Sequence, residues 1–358
     1  MTVTPQHSEW RDARANANDR DAGVVERSPR PRRVFVLGAT GTIGRATVRA
    51  LVARGHEVVC FLRPSRVGDA TRSADDRVAG LAGASIRLGD VRSAASLATD
   101  GFRGEHFDAL VSCMASRTGA PADAWAIDHQ AHVQALAAAR QAGVTQVVLL
   151  SAICVQKPRL AFQKAKLAFE QVLIDSGVTY SIVRATAFFK SLSGQIERVR
   201  QGKPFLIFGN GALTACKPIS DADLGAYLAD CLDDPARHNR VLPIGGPGPA
   251  ITPREQGEAL FALLGRSPRF TAVPVALLDV IIKVLGTLGR LVPALADKAE
   301  LARIGRYYAT ESMLVLDPVT GRYDADATPS AGTDTLFEYY ATLVRGGEGP
   351  ERGDHAVF

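Results

Sequence analysis

Arg33-Val-Phe-Val-Leu-Gly38-Ala-Thr-Gly41-Thr-Ile-Gly44-Arg45 decides the fold of this chain. Val34, Phe35, Val36 and Leu37 run into a glycine-rich corner, and a helical pattern of Ala46, Val48, Leu51 and Val52 leaves it. That order predicts a buried parallel strand, a tight turn and a helix N-terminus. Gly38 permits the turn, Gly41 lets a pyrophosphate approach the backbone, and Gly44 lets the helix sit close to the strand. The free N–H groups and positive dipole end of the helix then face the anion. Thr40, Thr42, Ile43 and Arg45 complete the corner as candidate cofactor contacts. The spacing is G-x-x-G-x-x-G, not the commoner G-x-G-x-x-G. It is therefore the strand before and the helix after that favour nucleotide binding over a purely structural turn.

Outward from this corner, strands and helices alternate. Glu57–Leu62, Ser85–Leu88, Phe107–Cys113, Gln146–Leu150 and Thr179–Arg184 read as strands. A polar helix or loop spans Gly68 to Gly83, an Ala-rich helix about Ala122 to Ala142, and a further helix Leu160 to Ser176. This rhythm means an α/β fold with a doubly wound parallel sheet over residues 33–184. At the end of the second strand an acid would select NAD, whereas an arginine accepts a 2′-phosphate. Arg63 stands there and Arg45 can join it, so the expected cofactor is NADPH, with a solvated strand-end charge as the alternative for Arg63. Asp90 and the Val91 amide, just past the third strand, suit an adenine ring, or else form a plain turn. Ser116 lies at the carboxyl end of the fourth strand, facing the crevice.

Beyond Arg184 the rhythm breaks, and residues 185–345 are expected to form a smaller C-terminal substrate lobe with returning sheet elements. Val273 to Leu295 is apolar but interrupted by Asp279, Lys283 and Arg290. It reads as a lobe helix or a membrane-surface helix, not a spanning one. Residues 1–32 and 346–358 read as disordered tails.

The chain has 358 residues, 46% hydrophobic and 22% charged, with a formal charge of +5. Those values suit a soluble enzyme, and no basic stripe interleaved with aromatics points to nucleic acid. Cys60, Cys113, Cys154, Cys216 and Cys231 lack ligand spacing and read as reduced core thiols, with no metal site. The N-terminus lacks the apolar run of a secretory signal and the pattern of a transit peptide, so a cytoplasmic protein is expected.

The chemistry is read at the helix after the fifth strand. Ser151 is followed by Phe162-Gln-Lys-Ala-Lys166, where a Tyr-x-x-x-Lys pair would serve carbonyl reduction. The lysine is present, but phenylalanine holds the tyrosine position. A carbonyl oxygen needs a proton donor, whereas a double bond conjugated to an electron sink needs none at oxygen. The pattern argues for an alkene reductase, or for a binding protein that kept the fold.

Over roughly residues 33 to 345 the chain resembles the atypical short-chain dehydrogenase/reductase group, a Rossmann superfamily. More closely, it resembles the NADPH-dependent divinyl (proto)chlorophyllide 8-vinyl reductases of chlorophyll and bacteriochlorophyll synthesis. The strings carrying this are Phe162–Leu167, Arg184–Leu192, Gly209–Leu224 and Ile244–Gly257, with Ala185 departing from the proline usual there. The resemblance implies reduction of a C8 vinyl group to ethyl on a magnesium tetrapyrrole, with Lys166 as leading catalytic residue and Ser151 orienting cofactor or substrate. Without the resemblance, Lys166 would read as an exposed helix lysine. Phe162, Phe188 and Phe189 become candidate contacts for a flat ring, or core residues. Lys190 and Lys217 become partners for a propionate carboxylate, or surface charges. The rival readings are another conjugated-alkene reductase and an NADPH-sensing or assembly protein.

Overall fold

Strand β1, Arg33–Leu37, is apolar at every position after Arg33 because it is covered on both faces. Val34 and Val36 point to one side of the sheet, Phe35 and Leu37 to the other, and each pair seeds a separate core. The computed structural model describes residues 30–64, 80–290 and 292–346. The tails expected at the two ends, and most of the Gly68–Gly83 segment, lie outside the described residues.

Helix α1, Thr42–Ala53, follows β1; β2 is Glu57–Leu62, β3 Ser85–Leu88 and β4 Ala109–Ser112. Strand β5, Gln146–Ala152, is reached through helix α2, His132–Gln141, and β6, Thr179–Ala185, through helix α3, Ala161–Asp175. The parallel sheet runs β3-β2-β1-β4-β5-β6-β8, where β8 is Arg240–Ile244, with Val34 registered against Val58 on one side and Ala109 on the other. Strand order reverses between β1 and β4, which opens a crevice at their carboxyl ends.

The Ala-rich helix is helical from Pro121 to Gln141, but Trp125–Ala131 is a π-helical turn. The extra residue in that turn rotates Asp128 inward; such turns recur at functional sites.

After β6 the chain leaves the sheet, forms strand β7, Phe205–Phe208, and returns. Helix α4, Asp221–Asp233, packs on α1, and strand β8, Arg240–Ile244, pairs with β6. Gly225 makes the α1 contact: a Cβ there would stand 2.6 Å from the Ala46 carbonyl carbon. Helix α5, Pro253–Leu263, strand β9, Phe270–Val273, and helices α6, Val275–Leu288, and α7, Pro293–Thr310, follow. The short pair β10, Val315–Leu316, and β11, Tyr323–Asp324, precedes helix α8, Leu336–Val344. The lobe core joins Phe189, Val199, Phe205, Leu260, Phe261 and Tyr340. The apolar run starting at Val273 is therefore the end of a strand, then α6, then a break at Gly289, where a Cβ would meet Ala296 N at 2.8 Å.

Candidate functional site

Gly38 has φ +75°, and a Cβ there would lie 2.5 Å from the backbone of Cys113 at the end of β4. A Cβ on Gly44 would stand 2.1 Å from the Gly38 carbonyl oxygen, so only glycine lets α1 start this close to β1. Gly41 is different. It is exposed, and its added Cβ would meet only Gly38 O, at 3.4 Å. No side chain caps α1 and no acid sits in its first turn, whereas Ser220, Thr252 and Thr335 cap α4, α5 and α8. An uncapped N-terminus beneath an open glycine turn fits an anionic phosphate bridge. Ile43 is buried in the core, so it can offer only backbone to a ligand, and Thr40 is half-buried beside the turn.

At the other end of the crevice Arg63 is exposed just past β2. Asp90 accepts from Arg92 Nη2 and from Arg92 N, both at 3.0 Å; Arg92, with a smaller contribution from Arg63, holds its carboxyl below the ordinary range. Arg63 and Arg92 thus both act on Asp90 past the ends of β2 and β3, and Arg92 was not foreseen. Its signal in the sequence was only its place two residues after Asp90. Arg45 lies instead along the Gly80 turn, its Cδ 3.7 Å from where a Gly80 Cβ would be. The Val91 side chain is core.

The third cluster joins three elements. Lys166 Nζ on α3 lies 3.0 Å from Asp128 Oδ1 in the π-helical turn; the Asp128 side chain is fully buried and that of Lys166 13% exposed. Ser116 donates to Asp128 Oδ2 through its hydroxyl at 2.6 Å and to Oδ1 through its N–H at 3.2 Å. Burial pushes the Asp128 carboxyl up, but the Lys166 charge and the Ser116 bond outweigh it and leave it below its ordinary value. Close by, buried His132 shares a 2.8 Å bond with Ser112 Oγ. Burial first, then the Lys166 charge, lowers His132 to about 4, so it stays neutral.

The remaining predicted residues scatter. Ser151 Oγ donates to Glu170 Oε1 at 2.5 Å, and Glu170 pairs with Arg184, so this hydroxyl ties β5 to α3 and β6. Phe162, half-buried, lies beside Gly119 and belongs to a cluster with Ile304 of α7. Phe189 is a lobe-core residue, 3% exposed, and not a ring platform; Phe188 is half-buried. Lys217 donates to Thr328 O at 3.0 Å and so pins a loop instead of facing the crevice. Lys190 donates to Thr42 Oγ1 at 3.1 Å, at the phosphate end. Two tyrosines reach the turn after β5 from α7. Tyr307 donates to the carbonyls of Cys154 and Lys157, at 2.9 and 3.1 Å, and the Tyr308 hydroxyl stands 4.0 Å from Cys154 Sγ. Tyr308 is exposed on α7 apart from this hydroxyl contact. Among the described residues no group of His, Cys, Asp and Glu could hold a metal ion.

Residues 38–235 match the family model described as NAD(P)H-binding. A divinyl chlorophyllide a 8-vinyl-reductase, chloroplastic, of Oryza sativa subsp. indica is 50% identical over 337 residues, covering 92% of this chain and 83% of the relative. The chain belongs to the divinyl chlorophyllide a 8-vinyl-reductase family. The Arabidopsis thaliana member is 47% identical, covering 93% of this chain and 84% of its own length. Among solved structures, AtPrR2 with NADP+ and (+)pinoresinol superposes with a TM-score of 0.62 at 18% identity, covering 88% of this chain and 99% of that one. At that identity the likeness shows the fold alone.

Proposed function

We propose that this protein reduces the C8 vinyl group of a divinyl chlorophyllide or protochlorophyllide to ethyl with NADPH. The observation that carries the reading is membership in the vinyl-reductase family at 50% identity over nearly the whole chain. The site's own chemistry agrees with it: Phe162 stands where a carbonyl reductase needs a phenol, while Lys166 is kept and buried against Asp128.

The glycine corner and α1 hold the phosphate bridge, while Arg63 and Arg92 hold the 2′-phosphate. Bound NADPH supplies the hydride. Lys166, fixed by Asp128 and Ser116, anchors the nicotinamide ribose and presents positive charge to the reacting end of the crevice. The substrate macrocycle takes up the negative charge that develops, so the protein mainly orients the two partners. The inner vinyl carbon takes its proton from water or from a protein acid. The Tyr308 hydroxyl, which the lobe brings to the turn after β5, is the protein group we assign to that step.

The same reading puts the protein in the cytoplasm, where its five free thiols stay reduced. It also lays α6 against a membrane surface. No helix among the described residues is long and apolar enough to cross a membrane. Yet α6 buries none of its residues, and it exposes Leu277, Val280, Val284 and Leu288 along one stripe.

Purified protein mixed with NADPH and divinyl chlorophyllide should shift the pigment's Soret band to the blue as the vinyl group is saturated. No shift with either that pigment or its protochlorophyllide counterpart would overturn the assignment.

A further inference from the structure

Two basic stretches that are far apart in sequence meet in the lobe. Strands β7 and β9 pair in parallel, with Phe205 registered against Phe270 and Phe205 N donating to Arg269 O at 2.8 Å. Segments entering paired parallel strands lie side by side, so residues 198–204 are brought against residues 266–269. Together they carry Arg198, Arg200, Lys203, Arg266 and Arg269, and neither stretch contains an acid. Where they meet, an open cavity of about 370 Å³ is lined by Arg200, Arg266, Ser267, Arg269 and the buried ring of Phe261.

The guanidinium groups are held in place but not neutralised. Arg266 Nη1 donates to Val199 O at 2.8 Å and to Arg200 O at 3.0 Å, carbonyls at the end of the short helix Ile196–Arg200. Arg269 Nη1 donates to Gly202 O at 3.4 Å. Among the described residues, Nε and Nη2 of both side chains make no hydrogen bond, and no carboxylate pairs with either. Arg200 has a loose contact with Glu197, 3.8 Å between two exposed side chains, which is worth little. Closing a helix end explains one nitrogen of Arg266. It does not explain three guanidinium groups around one cavity, where like charges repel unless an anion lies between them. A guanidinium fixed at one nitrogen presents its other donors as a ready fork, and that fork matches the paired oxygens of a phosphoryl group.

We propose that this cavity is a second anion site, sharing no residue with the cofactor crevice, that binds a phosphoryl group among Arg200, Arg266 and Arg269 with Ser267 as a hydroxyl donor. A soluble phosphate compound and the headgroup of an acidic lipid offer the same chemistry. The site needs nothing from the vinyl-reductase reading.

The test is calorimetric titration of the purified protein in saturating NADP+, so that the crevice is filled before the second ligand is added. Inorganic pyrophosphate probes a soluble source and glycerol 3-phosphate a lipid headgroup, and the tighter of the two names the source. Binding should weaken as salt is raised. Arg200→Gln with Arg269→Gln should weaken it by about tenfold or more, while Arg266 stays to close the helix end. Ser267→Asp removes no arginine but puts a carboxylate at the cavity, and it should abolish binding. Both variants should keep the thermal unfolding and NADP+ affinity of the unaltered protein; if the double variant unfolds early, Ser267→Asp decides alone. Absence of binding for both probes would overturn the proposal, and so would binding that neither variant changes. Failure of the Soret assay would leave these titrations untouched, so the two readings fail separately.

Discussion

Lys166 and Asp128 form a pair in which each residue makes the other tenable. A buried carboxylate without its cation, or a nearly buried ammonium without its anion, costs several kcal/mol, so neither can be removed quietly. Lys166→Ala should keep NADPH affinity within a few-fold but lower kcat by about 100-fold or more, since a positioned charge at the reacting end is lost. Unchanged kcat would remove Lys166 from the chemistry. Asp128→Asn leaves the lysine in place but loose, so it should lower kcat less and reduce stability by about 3 kcal/mol. Because the Asp128 carboxyl is depressed in the fold, it contributes stability above its unfolded value near 4 and loses it as pH falls through the folded value. The stability gap between the unaltered protein and Asp128→Asn should therefore be full at neutral pH and close only on acidification below about pH 4, as followed by urea titration. Lys166 was legible from its spacing to Phe162, a local signal. Asp128 was not, because the pair joins residues far apart in sequence, through a π-helical turn that leaves no mark in composition. Phe188 and Phe189 looked equivalent as neighbours, yet successive residues point to opposite sides, and only Phe189 entered the lobe core.

Elements were legible wherever their signals were local. The glycine corner, the apolar strands and the N-cap at Thr252-Pro253 state their geometry within a few residues, and Thr252 with Glu255 forms a reciprocal capping box. The stretch after Val273 was harder, since its apolar residues run on through a strand end and a helix, and periodicity cannot divide a continuous run. Helix α6 then presents its apolar stripe outward: Leu277 is 49% exposed, Val280 56% and Val284 51%. The proposed membrane contact would use this stripe, with Lys283 and Arg290 as cations for anionic headgroups. Protein mixed with vesicles containing anionic lipid should float with them, and Leu277→Glu with Val284→Glu should abolish flotation without changing turnover on detergent-dispersed pigment. Equal flotation of the double variant would remove α6 from any membrane contact.

At the scale of the molecule, sheet and lobe are interleaved. The chain leaves the sheet after β6, returns for α4 and β8, and leaves again to build α5 to α8. Cross-ties follow the same route: Glu170 holds Ser151 and Arg184, Lys217 pins Thr328, Tyr340 holds Leu192, and Lys190 reaches Thr42. The first half of this architecture was readable from alternating strands and helices. That sheet elements return after residue 185 was expected too, but that β8 would pair with β6 was not readable, because pairing between distant strands is fixed by the closing of the whole sheet and not by either strand alone. Interleaving has a thermodynamic consequence. A lobe whose core is closed by segments on both sides of β8 cannot unfold while the sheet stays intact, so heating should give one calorimetric transition. A ligand that binds only the folded state raises stability by about 2.7 kcal/mol at one hundred times its Kd. NADP+ at that concentration should therefore move the single transition upward as a unit and slow amide exchange in α8 as well as in α1. Two separated transitions, or protection confined to α1, would show that the lobe melts independently and that the cross-ties through Leu192 and Thr42 do not couple the halves.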